Sequence, residues 1–172
     1  MLNKITPRLW NICVVLCCLS LLGFALYSQY VWDLEACPLC IFQRVAFVWM
    51  ALFAFMAVVH NPARTGQRIY AWLVVAGAAL GALIAGRHIW LQHLPPGEVP
   101  ECGPGLNYML ENFPLTDVLS TVLRGSGSCA EVSWSFMGLS MPMWTLAWYI
   151  GLALVTLWIS YRPARNQIAE NE

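Results

Sequence analysis

The sequence predicts an all-α integral membrane protein, a four-transmembrane-helix bundle in which one long loop carries a short amphipathic helix. Hydrophobic residues make up 59% of the 172 residues, charged residues only 10%, and mean hydropathy is +0.62. Soluble domains hold about 25% charged residues, so this composition indicates a membrane protein. Four stretches lack Asp, Glu, Lys and Arg over about the 18 residues that a crossing needs. These charge-free runs are 9–32, 45–63, 69–86 and 132–161.

We predict a single membrane domain, 1–172, that crosses the bilayer four times. The predicted spans are roughly 9–30, 41–60, 69–89 and 143–161, and the outer loops are roughly 31–40 and 90–142. Pro142 separates a polar lead-in from the last helix, because proline favours the start of a helix over its interior. A cleaved signal peptide is the alternative for the first span. That span is much longer than the roughly 7–15 apolar residues of a signal peptide.

Basic residues predict the orientation of the spans. With four crossings, six of the nine basic residues fall on one side: Lys4, Arg8, Arg64, Arg68, Arg162 and Arg165. Arg64 and Arg68 are predicted to lie in a short connection between the second and third spans. The positive-inside rule makes this side cytoplasmic, so both termini are expected in the cytoplasm and both outer loops on the opposite side of the membrane.

The seven cysteines fall into two groups under this topology. Three lie inside the first span, where cysteine is expected as a small, buried packing residue: Cys13, Cys17 and Cys18. The other four are expected on the outer side, in a compartment that tolerates disulfides: Cys37, Cys40, Cys102 and Cys129. From composition alone, two structural disulfides and a catalytic role fit these four equally well.

The segment CPLCIFQR, residues 37–44, favours catalysis. A Cys-x-x-Cys loop encloses too little chain for its disulfide to stabilise much. Because Pro38 follows Cys37 as a first helical residue would, Cys37 is predicted as the N-cap of the second span and Cys40 as its third residue. The helix dipole there favours a thiolate over a thiol. Such a cysteine pair is expected to exchange disulfides readily.

Arg44 stands four residues after Cys40 and therefore projects from the same helix face. One interpretation is that its guanidinium reaches back to the lipid head groups. The other is that a charge at this depth marks a functional site. In that case Arg44 would stabilise the Cys40 thiolate and hydrogen-bond the carbonyl of an electron acceptor dissolved in the membrane.

The long outer loop is rich in proline, glycine and acidic residues. HLPPGEVPECGPG, residues 93–105, predicts an irregular, mobile segment around Cys102, and GSGS, residues 125–128, predicts a flexible tether before Cys129. Apolar residues at helical spacing between Leu115 and Leu123 predict a short amphipathic helix, lying either on the membrane or on the protein. A mobile cysteine pair above a fixed one suggests a relay by thiol–disulfide exchange.

Such a relay needs a final electron acceptor. Cys40 is followed by Ile41 rather than histidine, so the haem attachment motif is missing, and no dinucleotide fingerprint or P-loop occurs. A lipid-soluble quinone fits a site at the membrane edge. His88 ends the third span at the depth of Cys40, and it is either an interfacial polar residue or a hydrogen-bond donor to that quinone.

These motifs together resemble the DsbB family of bacterial disulfide bond formation proteins. The resemblance covers nearly the whole chain and includes CPLCIFQR, RHIWLQ at the end of the third span, the isolated Cys102, and GSGSCAEVSWSFMGLSMPMW before the fourth span. It implies a four-helix bundle in the bacterial inner membrane. Such a protein reoxidises a periplasmic thioredoxin-like protein of DsbA type and passes the electrons to ubiquinone or menaquinone.

The resemblance also implies a set of site residues, four redox cysteines and two that bind quinone: Cys37, Cys40, Cys102, Cys129, Arg44 and His88. Cys102 would form the mixed disulfide with the partner, and Cys129 would be its pair. Cys37 would exchange with the loop pair, while Cys40 would contact the quinone. Gln43 stands where some family members carry an acid, and it receives no role.

Three other interpretations stay open at this stage. In the first, the chain is a specialised paralogue with a dedicated partner. In the second, it is a zinc protein built on the four outer cysteines, and in the third it is a membrane anchor whose loops are held by inert disulfides. The sequence offers no second close cysteine pair for zinc, and stapling does not require Arg44. We therefore predict no metal, no nucleic-acid partner, and an enzyme that works with quinone and membrane lipid.

Overall fold

The computed structural model describes residues 6–33, 36–95, 114, 117, 127–130, 132 and 134–161. In chain order, these residues form helices α1 (Pro7–Val31), α2 (Pro38–His60), α3 (Arg64–Gln92) and α4 (Gly127–Ala130), strands β1 (Ser135–Phe136) and β2 (Leu139–Ser140), and helix α5 (Met141–Tyr161). Helices α1, α2, α3 and α5 are long and apolar enough to cross a membrane. The predicted class, a four-helix membrane protein, is confirmed.

Local signals set where the helices begin and end. The Thr6 hydroxyl accepts a hydrogen bond from the Leu9 amide at 3.2 Å, and Pro7 follows it as the first residue of α1. At the same end of the molecule, α2 stops at Asn61, whose positive φ of 40° turns the chain at once. The connection to α3 is therefore only 61–63.

This tight turn corrects one detail of the predicted topology. Arg64 and Arg68 belong to α3 rather than to the connection. Arginine is a good helix former, so both residues extend α3 beyond its apolar run. Their charges still lie at the same end of the molecule as the start of α1, as the predicted orientation requires.

The core lies where α3 packs on both α2 and α5, while α1 packs mainly on α2. Tyr149 of α5 is fully buried and stacks on Phe47 of α2, with ring centroids 4.3 Å apart. Gly81 of α3 makes room for this ring, because a Cβ atom there would overlap it. The Tyr149 hydroxyl donates to the carbonyl oxygen of Gln43 at 2.7 Å. These contacts fix α5 against the part of α2 that carries the predicted site.

A small antiparallel hairpin precedes α5, where the sequence predicted only loop. Met137 and Gly138 form its turn with φ values of 54° and 79°, the conformation that suits a two-residue hairpin. Strands of two residues are too short to show an alternating pattern, so no periodicity in the sequence indicates them. The Ser140 hydroxyl donates to Gln92 Oε1 at 2.7 Å and ties the hairpin to α3.

Two predicted features of the long loop lie outside the described residues. One is the irregular segment around Cys102. The other is the amphipathic helix between Leu115 and Leu123, of which only Asp117 is described; its amide donates to the Pro114 carbonyl at 2.9 Å.

Candidate active site

The Cys-x-x-Cys pair starts α2 as predicted. Cys37 has extended backbone angles and is the N-cap, Pro38 is the first helical residue, and the Cys37 sulfur accepts a hydrogen bond from the Cys40 amide at 3.4 Å. The two Sγ atoms are 3.0 Å apart as thiols. The prediction of Cys37 as N-cap and Cys40 as third residue is confirmed. Sulfurs in this arrangement interconvert between dithiol and disulfide with little backbone movement.

His88 reaches this pair from α3. It is only 3% exposed, and its two ring nitrogens face different sulfurs. Nε2 lies 3.8 Å from Cys37 Sγ, and Nδ1 lies 3.9 Å from Cys40 Sγ. The structure thus brings His88 to a cysteine pair that lies about fifty positions earlier in the sequence, and the imidazole is placed to exchange protons with either sulfur.

Two polar residues that the sequence left without a role surround His88. Gln43 of α2 is 4% exposed, and its Nε2 lies 3.3 Å from Nδ1 of His88. On its other side, Gln43 Oε1 accepts a hydrogen bond from the Thr145 hydroxyl of α5 at 2.9 Å. Buried polar groups are almost always paired, and this chain of contacts pairs all three. No pattern within one helix predicts these contacts, because Gln43, His88 and Thr145 belong to three different helices.

Cys129 packs directly on the fixed pair. It is fully buried in α4 and shares a cluster with Cys37, Leu39 and Leu91. Its backbone also makes a hydrogen bond with the His88 ring. Gly127 and Ser128, predicted as part of a flexible tether, instead lie in helix α4 with Cys129, so that part of the prediction is wrong. Cys102 lies outside the described residues.

Arg44 is held in place by α1. Its Nη1 donates to Gln29 Oε1 at 2.5 Å, and its Nη2 donates to the Ala25 carbonyl oxygen at 3.0 Å. A guanidinium has five N–H donors, so these two bonds leave others for a ligand. A guanidinium anchored within the protein contradicts the interpretation in which Arg44 reaches only to lipid head groups.

A cavity of about 310 Å³ lies beside Cys40, Arg44 and His88, between α1, α2, α3, α5 and the hairpin. Its walls include the aromatic rings of Trp134, Phe136 and Trp144. The Trp144 indole N–H donates to the Phe136 carbonyl at 3.2 Å, and Trp134 stacks on Phe136 with centroids 6.0 Å apart. Its size and apolar lining suit a small planar molecule, and Arg44 offers donors to an oxygen on it.

The same residues offer metal ligands. Among the described residues, Cys37, Cys40 and His88 present ligand atoms that all lie within 4.8 Å of one another. Two thiolates and an imidazole are a donor set that zinc uses in proteins. The reduced pair can therefore either exchange disulfides or bind a thiophilic ion.

The cysteines of α1, and Arg87 of α3, are not among the residues that line the cavity. Cys18 is fully buried in the core near Tyr149, and Cys13 is on the outer surface of α1. The Arg87 guanidinium stacks over the Trp90 ring at 4.2 Å from its centroid. The prediction of a buried packing cysteine therefore holds for Cys18 and is wrong for Cys13, which is exposed, while Cys17 is partly buried.

Thiols held within contact of each other at a helix N-terminus are suited to exchange, and these sit at the end of a membrane-spanning helix. The fold and the site thus define a membrane-bound thiol–disulfide oxidoreductase. Comparison with known proteins supplies the family. The family model described as "Disulfide bond formation protein DsbB" matches residues 7–159, and the chain belongs to this family of disulfide oxidases.

Several curated relatives carry the name "Disulfide bond formation protein B". The relative from Methylococcus capsulatus is 54% identical over 140 residues, which are 81% of this chain and 85% of the relative. The relative from Acinetobacter baumannii is 46% identical over 160 residues, or 92% and 94% of the two chains. The relative from Chromobacterium violaceum is 42% identical over 163 residues, or 95% and 98%. The similarity therefore extends over almost the full length of each protein.

Proposed function

We propose that this chain oxidises a periplasmic thioredoxin-like protein of DsbA type and delivers the electrons to a membrane quinone. The observation that carries this proposal is the cavity, where Cys40 and Arg44 border one apolar space. A redox-active sulfur beside an oriented guanidinium suits an acceptor with carbonyl oxygens. The family relationship supports the disulfide oxidase chemistry but leaves the acceptor and partner to be tested.

The relay begins on the long loop. The partner's thiolate attacks the Cys102–Cys129 disulfide at Cys102, and Cys129 leaves as a thiolate. When the partner's second thiolate displaces Cys102, the partner has gained a disulfide and the loop has gained two electrons. Burial of Cys129 against Cys37 supports the next contact in the sequence.

The electrons then pass to the fixed pair. The Cys129 thiolate attacks Sγ of Cys37, the Cys37–Cys40 bond breaks, and its electron pair stays on Cys40. Attack of Cys102 on Cys129 re-forms the loop disulfide and releases Cys37 as a thiolate. The fixed pair now holds the two electrons that the loop has lost.

A quinone supplies the matching chemistry, because it takes up two electrons and two protons on becoming a quinol, which balances the return of the dithiol to a disulfide. Arg44 would hold one oxygen of the quinone through the donors that Gln29 and Ala25 leave available. The aromatic walls would exclude water, so this hydrogen bond would act in a medium of low dielectric constant.

The proposed setting is the bacterial inner membrane, with the cysteines on the periplasmic side. Arg64 and Arg68 lie at the start of α3, and His88 lies near its other end, next to Cys37. Arg8 lies at the start of α1, on the same side as Arg64 and Arg68, and the positive-inside rule makes that side cytoplasmic. In spheroplasts, a membrane-impermeant maleimide should label a variant that keeps Cys102 as its sole cysteine. Labelling only after the membrane is permeabilised would contradict the orientation.

Quinone reduction by the purified protein tests the proposal. With a reduced DsbA-like protein and a short-chain ubiquinone, wild-type protein should consume quinone, and Cys40→Ser should not, because the bond that carries the electrons cannot form. Cys18→Ser is the matched control and should turn over normally, since Cys18 lies in the core away from the cavity. Full turnover by Cys40→Ser would refute the proposal.

A second candidate function rests on the three clustered ligand atoms of Cys37, Cys40 and His88. In this alternative the chain is a zinc protein, and the cysteines are ligands rather than redox groups. Stoichiometric zinc in protein isolated without reductant, together with no quinone reduction, would support it. Protein that is free of zinc and holds oxidised cysteines would exclude it.

A further inference from the structure

Gln43 occupies a position that decides where the proton of His88 lies. Its side-chain amide stands between the His88 ring and the Thr145 hydroxyl, with Nε2 at 3.3 Å from Nδ1 and Oε1 at 2.9 Å from Oγ1. Both Gln43 and His88 are more than nine-tenths buried, so their polar atoms are expected to be paired. The direction of each hydrogen bond therefore matters for the whole cluster.

The two ends of the amide demand different states of the imidazole. An amide N–H group only donates, so a Gln43 nitrogen facing His88 requires an unprotonated Nδ1. In a neutral ring the proton is then on Nε2, which lies 3.8 Å from Cys37 Sγ. The backbone of Cys129 is a further hydrogen-bond partner of the same ring. The reversed amide would present its oxygen to His88 and would require the proton on Nδ1, on the side of Cys40.

The structure turns the Gln43 oxygen to Thr145 and the Gln43 nitrogen to His88. The Thr145 hydroxyl has one proton and lies 2.9 Å from two acceptors, Gln43 Oε1 and the Pro142 carbonyl oxygen. The Pro142 carbonyl is in the first turn of α5. In a helix such a carbonyl ordinarily accepts a hydrogen bond from the backbone N–H four residues later. Because a hydroxyl also accepts, a reversed amide would donate to Thr145 while Thr145 donates to Pro142; the structure has the other arrangement, in which the Gln43 oxygen accepts from Thr145.

We infer that Gln43 is a positioning residue, oriented by Thr145, that holds His88 with its proton on Nε2 and aimed at Cys37. This inference deepens the proposed function and rests on it for its consequence in turnover. Cys37 must leave as a thiolate when the loop disulfide re-forms, and a donor at 3.8 Å stabilises that thiolate. His88 then serves Cys37, and Arg44 is left as the donor to the quinone.

The test is nitrogen-15 NMR of the full-length protein, labelled at histidine and kept reduced in detergent micelles. The chain has three histidines, and the His88 signals are those missing from His88→Asn. A pyridine-like Nδ1 together with a pyrrole-like Nε2 is expected for the wild type. A protonated Nδ1 in the wild type would overturn the inference directly, without any variant.

Two variants separate the parts of the cluster. In Gln43→Glu an ionised carboxylate only accepts, so Nδ1 of His88 should become protonated and its signal should move to the pyrrole-like range. In Thr145→Val the amide loses its orienting donor, and a mixture of both states is expected. An unprotonated Nδ1 in Gln43→Glu would overturn the role of Gln43, and wild-type shifts in Thr145→Val would overturn that of Thr145.

A matched control comes from the same helix. Thr156 is a buried threonine whose hydroxyl donates to the Leu152 carbonyl and accepts from the Trp10 indole, far from His88. Thr156→Val should leave the His88 signals unchanged, and a shift as large as in Thr145→Val would contradict the assignment to the Gln43 contact. The signals of His60 and His93 report whether each variant is folded.

Quinone turnover, measured on the same wild-type sample, keeps the two proposals distinct. An unprotonated Nδ1 without any quinone reduction would leave the geometry standing and refute the proposed function. Normal quinone reduction with a protonated Nδ1 would do the reverse.

Discussion

Replacing Arg44 by lysine should weaken quinone binding, although the positive charge is kept. Arg44 donates two hydrogen bonds to α1, one to Gln29 Oε1 and one to the Ala25 carbonyl oxygen. The donors of arginine are spread over three nitrogens, whereas all three donors of lysine are on one nitrogen. That single atom cannot reach both acceptors on α1 and also a ligand in the cavity. The variant should therefore lose the hydrogen bond to the quinone oxygen while the fold is retained.

The size of the effect follows from the type of bond. A hydrogen bond to a charged group contributes about 1.5–3 kcal/mol, which corresponds to roughly 10- to 150-fold in affinity. We expect the KM for quinone in Arg44→Lys to rise by an amount near the lower end of this range, and that in Arg44→Ala to rise further. Initial rates of quinone reduction, measured by ultraviolet absorbance over a range of quinone concentrations, give these values.

Two comparisons decide whether the reasoning about Arg44 holds. Loss of the loop disulfide on mixing with the reduced partner should keep its wild-type rate, since Arg44 does not touch Cys129 in this account. Arg87→Lys is the matched control, because Arg87 stacks on Trp90 and does not line the cavity. A wild-type quinone KM in Arg44→Lys, or an equal increase in Arg87→Lys, would refute the assigned role.

Two further predictions concern the scaffold around the site. Gly81→Ala should lower the stability in detergent by about 1–3 kcal/mol in thermal unfolding, because the added Cβ overlaps the Tyr149 ring; Gly86→Ala, with open space around its Cβ, should cause no loss, and equal destabilisation of both would contradict this packing. Ser140→Ala should speed hydrogen exchange of the hairpin amides, because it removes the 2.7 Å bond to Gln92, and unchanged exchange would show that this bond does not hold the hairpin.

Local chemistry allowed the sequence to predict the fixed part of the site. Pro38 directly after Cys37 identified the helix start, and the four-residue step from Cys40 to Arg44 placed both on one face. The end of the third span placed His88 at the right depth, although only the structure gives its distances to the two sulfurs. Each of these inferences uses the geometry of a single helix.

Contacts between helices could not be predicted in the same way. Gln43 faces His88 and Thr145 because α3 and α5 both pack against α2, and no spacing within one helix contains that information. Gln29 is likewise the partner of Arg44 only because α1 packs beside α2. The hairpin was missed for a different reason, since its strands of two residues show no alternating pattern. Its turn also places Met137 at positive φ, where a residue other than glycine is uncommon.

The central claim is that electrons pass from the partner through the loop cysteines to the fixed pair and then to quinone. The most direct measurement mixes the purified protein with a reduced DsbA-like protein and a short-chain ubiquinone, and follows quinone absorbance for wild type and Cys102→Ser. The account predicts quinone reduction by the wild type and none by Cys102→Ser. Equal quinone reduction by both proteins, or none by the folded wild type with ubiquinone and menaquinone analogues alike, would contradict it.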